Sequence, residues 1–172
     1  HGTIKIWDID SGKEERELKG HTKSVNCLRV LDGKVFSGSD DETIRMWDID
    51  SGKEEREFKG HKKAVICLDV LDGKVFSGSV NGKIRIWDID SGKKLRSLKA
   101  HIRYVNCLQV ADGKVFSGSS DNTIRIWELD SGKELRAIQN FNESVNNLIV
   151  VDGKIFVQSG YNKIKVFDFN HP

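Results

Sequence analysis

Apolar and polar positions alternate in short runs along this chain, and the runs return in the same order every 40 residues. Residues 24–60 show one cycle. SVNCLRVL alternates and stops at Asp32-Gly33, a two-residue hairpin signal because glycine readily takes the positive φ such a turn needs. KVFSGS follows, and a polar turn at Asp40–Glu42 separates it from TIRMWDI. There Ile44 and Met46 fall on one side of a strand, Arg45 and Trp47 on the other. Asp50-Ser51-Gly52 makes the next turn. EEREFK then carries charge at most positions, as an outer strand should if it is to resist pairing with foreign strands. The pattern predicts four short antiparallel strands per period. Helix-length periodic runs, which an α-solenoid would need, are absent.

The cycles are close copies. Residues 13–52 and 53–92 differ at ten positions. Trp7, Trp47, Trp87 and Trp127 fall in step, as do Cys27, Cys67 and Cys107, and His21, His61 and His101. Such a period means that each repeat is one supersecondary unit burying its apolar face against its neighbours. Four strands per unit, apolar inside and charged outside, describe a propeller blade. The expected fold is therefore all-β, a β-propeller of four-stranded antiparallel blades with about four blades present. Residues 1–20 form a partial blade, 24–60, 64–100 and 104–139 whole ones, and 144–169 an incomplete, degenerate one.

The count is 17 strands, one leading third strand plus four sets of outer, inner, second and third. Closure into whole blades needs a multiple of four. Residues 13–19 could lend an outer strand to residues 144–169, but residues 3–9 and 163–169 then compete for one slot. The simplest arrangement that meets this is a segment of a longer ring of seven blades, which would need about 280 residues; the alternative is a chain that pairs with a second copy. The degenerate fourth unit and the tail Phe167–Pro172 fit a C-terminal repeat, since terminal repeats are often atypical.

Composition narrows the class. Hydrophobic residues make up 37% and charged ones 31%, too apolar for disorder. The net charge of +2 gives no long-range field to recruit nucleic acid, and no apolar run reaches membrane-spanning length. Cys27, Cys67 and Cys107 share a VNCL or VICL context and read as small buried apolar residues of a reducing compartment, cytoplasmic or nuclear. Zinc sites usually place ligands a few residues apart, so neither a metal nor another cofactor is expected.

Gly20-His21, then SGSDD, then TIRMWD resembles a WD-repeat β-propeller, and the signature recurs as Gly60-His61 with Trp87-Asp88. It returns, weakened, as Ala100-His101 with Trp127-Glu128. The resemblance covers essentially the whole chain. It implies a buried hydrogen-bond relay of His, Ser, Asp and Trp in each blade. Carried over, this gives His21, Ser37, Asp41 and Trp47, and again His101, Ser117, Asp121 and Trp127. The second unit keeps His61, Ser77 and Trp87 but has Asn81 in place of the acid, and the fourth has Phe141, Val157, Tyr161 and Phe167.

His, Ser and Asp together invite a catalytic reading, but a hydrolytic triad needs an exposed nucleophile and an oxyanion hole. Three copies, each ending on a Trp whose N–H needs an acceptor, fit a structural role better. No catalytic residue is expected.

Function is expected where the repeats disagree. Between the first two units the differences gather at positions 62, 64 and 66 and at 80–83. The resemblance puts both segments on one face, the top, so the loops would bind and the strands support. The candidate binding residues are Lys62, Lys63, Ile102, Arg103 and Tyr104, with the turn-tip residues Asp40, Val80 and Ser120. Ile-Arg-Tyr on an exposed rim has hot-spot composition. WD-repeat receptors of phosphorylated degrons place arginines just after the Val that opens the inner strand and at the turn between second and third strands. Here those places hold Asn26, Ile66, Asn106 and Asn146, and Asp40, Val80, Ser120 and Gly160. Phosphopeptide capture is therefore not expected, and no aromatic platform for nucleic acid accompanies Arg45, Arg85 and Arg125. The sequence reads as a non-enzymatic scaffold for a protein or peptide partner. The other readings are a structural repeat that self-associates through its blade faces, and a receptor or targeting module of a larger enzyme such as a ubiquitin ligase or kinase.

Overall fold

The computed structural model describes residues 2–139, 141–160 and 163–169. Tyr161 and residues 170–172, which belong to the fourth unit and the tail, lie outside the described residues. Among the described residues all the regular structure is β, in five antiparallel sheets. A two-stranded partial blade holds β1 (Thr3–Trp7) and β2 (Glu14–Lys19). The first blade holds β3 (Val25–Leu31), β4 (Lys34–Ser39), β5 (Ile44–Asp48) and β6 (Glu54–Phe58). The second holds β7 (Val65–Leu71), β8 (Lys74–Ser79), β9 (Lys83–Asp88) and β10 (Lys94–Lys99). The third holds β11 (Val105–Ala111), β12 (Lys114–Ser119), β13 (Ile124–Glu128) and β14 (Glu134–Ile138). The fourth shows three strands among the described residues, β15 (Val145–Val151), β16 (Lys154–Ser159) and β17 (Lys163–Asp168).

Each blade is a meander whose turns are written in the repeat. Asp32 and Gly33 take φ of 49° and 71°, and Asp72-Gly73, Asp112-Gly113 and Asp152-Gly153 repeat the pair. Two consecutive positive φ values match the twist of the flanking strands, which is why Asp-Gly closes the inner hairpin four times. A bulge between Val25 and Cys27, repeated in the other three blades, shifts the register just after the loop that enters the inner strand.

The core lies between blades, as a series of seams. Phe36, Ile44, Met46 and Phe58 on the forward side of the first blade pack on Val65, Leu68, Val75 and Trp87 on the rear of the second. Phe76, Ile84, Ile86 and Leu98 meet Val105, Leu108, Val115 and Trp127 in the next seam. Phe116, Ile124 and Ile126 meet Val145, Leu148, Ile155 and Val157 in the third. Alternation along each strand sends successive side chains to opposite faces, so one sheet serves two seams. The fit is tight at the glycine of each SGS. A Cβ on Gly78 would lie 2.4 Å from Cys67 Sγ and 2.8 Å from a Val105 methyl, which is why the cysteine beside it must be small.

Polar ties cross the same seams near the inner strands. Asn26 Nδ2 donates to the Val65 carbonyl at 3.1 Å, and Asn106 Nδ2 to that of Val145 at 2.9 Å. Asp69 accepts from the Val110 amide at 2.7 Å, and Gln109 accepts from the Val150 amide at 2.7 Å. Asn26 and Asn106 are thus committed to holding blades together.

Candidate functional site

The His, Ser, Asp and Trp positions converge on the rear face of each blade, in three different states. In the first blade the relay is complete. His21 Nδ1 lies 2.8 Å from Asp41 Oδ2 and Nε2 2.8 Å from Ser37 Oγ, while Trp47 Nε1 donates to Ser37 Oγ at 3.0 Å. The consistent proton arrangement has Nδ1–H donating to Asp41 and the Ser37 hydroxyl donating to Nε2. Burial works against the Asp41 carboxylate, but donation from the Thr43 hydroxyl, His21 and the Thr22 and Thr43 amides outweighs it and lowers its pKa to about 2.

In the second blade His61 Nε2 meets Ser77 Oγ at 2.7 Å and Trp87 Nε1 donates to the same oxygen at 2.9 Å. Asn81 turns its carbonyl to the Lys83 amide instead, and buried His61 Nδ1 has no partner among the described residues. Burial, reinforced by the charges of Arg85, Lys83 and Lys94, lowers the His61 pKa to about 3, so the ring is neutral. In the third blade His101 reaches Asp121 at 3.0 Å and Ser117 at 2.8 Å. Burial again lowers the His101 pKa, opposed by the charge and hydrogen bond of Asp121.

One expected link is missing. Trp127 Nε1 is buried without a hydrogen-bond partner among the described residues, so the third relay ends at Ser117. Trp127 is held by apolar packing in the seam instead. In the fourth blade Phe141 and Phe167 replace the polar pair with an edge-to-face contact, ring centroids 5.6 Å apart. Ser37, Ser77 and Ser117 are wholly buried and each hydroxyl is engaged, so none is presented to a substrate.

The candidate binding residues lie on the rim where the loops enter the inner strands. The amides of Asp40, Val80, Ser120 and Gly160 donate to the carbonyls of Ser24, Ala64, Tyr104 and Ser144, at 2.9–3.1 Å. The two variable segments of each unit are therefore neighbours. Lys62, Lys63, Ile102, Arg103 and Tyr104 are exposed, and Asp40, Val80 and Ser120 half-buried. Asp40 accepts from Asn26 at 2.8 Å, and Ser120 bonds Asn106 at 3.0 Å.

Ile102, Arg103 and Ser120 come together on a groove of about 680 Å³ between the third and fourth blades, which Asn142 and Glu143 also line. Lys62, Lys63, Asp40, Val80 and Tyr104 are not among its lining residues. A second crevice of about 290 Å³ holds Asn81, Lys83, Lys99 and Arg125 and shares Ile102, which stands on the ridge between the two. Sequence reasoning missed Asn142, Glu143, Lys83 and Lys99. The available signal for the first two was their register with Ile102 and Arg103, one period earlier. The turn itself differs sharply in charge, Asp-Asp-Glu-Thr at 40–43 against Val-Asn-Gly-Lys at 80–83.

The cysteines sit on the forward face of successive inner strands, where burial pushes the thiols of Cys27 and Cys107 up to about 12 and that of Cys67 well above its ordinary value. Cys67 Sγ donates to the Val105 carbonyl at 3.1 Å. Among the described residues no group of three His, Cys, Asp or Glu side chains is placed to hold a metal ion.

Four-stranded meanders set side by side around their inner strands, with a His-Ser hydrogen bond on the rear face of the first three blades that extends to Trp in the first two, define a WD-repeat β-propeller segment. The chain belongs to the IP5P C-F β-propeller family, whose model matches residues 2–111. It is similar to the DENN domain and WD repeat-containing protein SCD1 of Arabidopsis thaliana, 50% identical over 38 residues, which is 22% of this chain and 3% of that protein. It is similar also to Meiotic fizzy-related protein 1 of Schizosaccharomyces pombe, 49% identical over 41 residues, 24% of this chain and 10% of that one. The chain thus spans a small part of the curated relatives it matches. Among solved structures, the computationally designed Ika8 protein superposes with a TM-score of 0.88 at 32% identity, over 97% of this chain and 52% of that one. The designed Ika4 protein superposes with a TM-score of 0.82 at 31% identity, over 88% and 94%. Propellers of the WD-repeat family are in general non-enzymatic modules for protein interaction.

Proposed function

We propose that this propeller is a non-enzymatic platform that takes a protein or peptide on its loop rim, centred on the third blade. The observation that carries this is the groove between third and fourth blades, where Ile102, Arg103 and Ser120 are joined by Asn142 and Glu143. One apolar side chain, one guanidinium, the carboxylates of Asp121 and Glu143 and several amide and hydroxyl groups suit an extended peptide, whose backbone needs both donors and acceptors. Tyr104 stands beside the groove, its carbonyl bonded to the Ser120 amide at 3.0 Å. Catalysis, a cofactor, nucleic acid and membrane have no part in this reading. Support for a reducing compartment, cytoplasm or nucleus, comes from three free cysteines set in the seams. The small share of the WD-repeat relatives that the chain covers supports a module that positions a partner for a longer protein.

The test is truncation. Arg103→Ala with Tyr104→Ala should weaken a partner recovered from lysate by roughly thirtyfold per hot-spot residue, about 2 kcal/mol each. Glu55→Ala on the outer strand removes only a surface pair with Lys34 at 2.7 Å and should change affinity little. Loss of the partner in the Glu55 variant, with retention in the rim variant, would move the binding surface to the blade edge.

A further inference from the structure

Four successive third strands carry a cation at the same place: Lys5, Arg45, Arg85 and Arg125. Three of them are held by a glutamate of the outer strand. Lys5 Nζ lies 2.7 Å from Glu14, Arg45 Nη1 lies 2.6 Å from Glu54, and Arg125 Nη1 lies 2.8 Å from Glu134. Glu57 adds a second carboxylate 2.9 Å from Arg45 Nη2. Glu14, Glu54 and Glu134 each stand opposite the tryptophan of their blade. In the second blade the residue opposite Trp87 is Lys94, and Ser97 faces Arg85 where Glu57 faces Arg45.

Arg85 is nonetheless buried, 8% exposed, where Arg45 and Arg125 are half-buried. Trp87 and Gly60 hold its guanidinium in place. Cζ lies 5.8 Å from the ring centroid, and a Cβ on Gly60 would come within 2.6 Å of Nη1. Lys83 and Lys99 stand directly opposite one another two residues further along, on the face that Arg85 shares. Like charges so placed destabilise a sheet. Yet among the described residues no ion pair reaches Lys83, Arg85, Lys94 or Lys99. The relay acid is missing beside them, since His61 Nδ1 is buried and unpartnered where its counterpart on His21 meets Asp41. Burial, and after it the charges of Arg85, Lys83 and Lys94, lowers the His61 pKa, and burial lowers that of Arg85.

We propose that the rear of the second blade binds an acidic segment of a protein partner, one carboxylate of which seats on Arg85 as Glu54 and Glu57 seat on Arg45. The other blades supply the chemistry of the occupant, because there a glutamate fills the same place. A planar guanidinium takes a carboxylate through two parallel N–H bonds. Lys94 and Lys99 are exposed and Lys83 is half-buried, so the neighbouring acidic side chains find cations on both strands. Nucleic acid fits less well, since Trp87, at 1% exposed, offers no face for a base to stack on. The site lies on β9 and β10, apart from the groove between the third and fourth blades, and does not depend on it.

A fluorescein-labelled hexaglutamate peptide, followed by anisotropy at low salt, should bind the native chain, and hexaglutamine should not. The affinity should fall as salt rises. Lys94→Glu returns to the second blade the glutamate that the others have, at an exposed position where folding is not at risk. It should weaken hexaglutamate binding by about tenfold or more and raise the melting midpoint by roughly 2–4 °C, as Arg85 gains its partner. Lys133→Glu makes the same change of charge at an exposed position of the third blade and should alter neither reading. A native chain that does not bind hexaglutamate overturns the proposal. So does equal affinity in the native and Lys94→Glu chains, or an equal loss in Lys133→Glu. Tighter binding of inorganic phosphate or of a hexanucleotide than of hexaglutamate also overturns it, and gives the site to another anion.

Discussion

Asn81→Asp supplies the one acid missing from an otherwise formed relay. In the first and third blades the carboxylate lies 2.8 Å and 3.0 Å from His Nδ1. In the second blade that nitrogen is buried and unpartnered. A hydrogen bond to a charged group contributes about 1.5–3 kcal/mol, and part of it goes to desolvating the new carboxylate. The introduced carboxylate would also lack the hydroxyl that Thr43 gives Asp41 at 2.6 Å, since Lys83 stands there, although the nearby ammonium favours the charge. A net gain of about 2 kcal/mol follows, or a rise in melting temperature of about 4–8 °C for a chain of this size. The pH dependence gives a second readout. His61 has a folded pKa of about 3, below the unfolded value of 6.5, so the unfolded chain binds the extra proton between them. Stability is full above pH 6.5 and falls as pH drops toward 3, by no more than about 4–5 kcal/mol. The new carboxylate raises the folded pKa of His61 and should flatten that slope. Thermal melts from pH 4 to 8 with a His61 titration by NMR would check both, and an unchanged or lower midpoint with an unaltered slope would refute the relay assignment.

Gly78→Ala should destabilise by about 1–3 kcal/mol, as overpacking does, because its Cβ would collide with Cys67 and Val105; denaturant titration reads it, and Gly73→Ala, in open space but at positive φ, is the control for backbone strain alone. Cys67 and Cys107 should resist a thiol reagent in the native chain, Cys27 should react slowly, and all three should react at once after denaturation; stoichiometric zinc binding or fast native labelling would contradict the seam placement.

The strands were legible because each is bounded by its own turn chemistry. Asp-Gly, Asp-Ser-Gly and the alternation of TIRMWDI fall within one period, and local signals of that kind survive into the fold. The relay was legible as residues and only partly as bonds. Ser117 and Trp127 are ten residues apart with the spacing of Ser37 and Trp47, yet the indole hydrogen bond forms in one blade and not in the other. Such a bond depends on small shifts of packed rings that residue identity does not encode. The polar ties from Asp69 and Gln109 span 41 residues and exist only once blades lie against one another. No local pattern could announce them. The groove was half legible: Ile102, Arg103 and Ser120 stood out by differing from their counterparts, while Asn142 and Glu143 were hidden in a unit that differs nearly everywhere.

That contrast says how a repeat divides its work. Positions that meet another blade are constrained by what the neighbour offers, so a change on one side calls for a change on the other. The fourth blade shows the coupled version: Phe141, Val157 and Phe167 replace His, Ser and Trp together, leaving no buried side-chain polar atom of that blade stranded among the described residues, which physical reasoning allows at little cost. The second blade shows the uncoupled version, where Asn81 alone changed and His61 Nδ1 was left without a partner. Position 81 sits at the rim, in the turn that also changed at 80, 82 and 83, whereas 141, 157 and 167 sit in the seam. A stranded polar group in a seam bears on a whole blade contact, as Trp127 Nε1 does, buried there without a hydrogen-bond partner among the described residues. A changed rim turn bears on one blade, and the rim is therefore where this chain can differ from unit to unit and still fold.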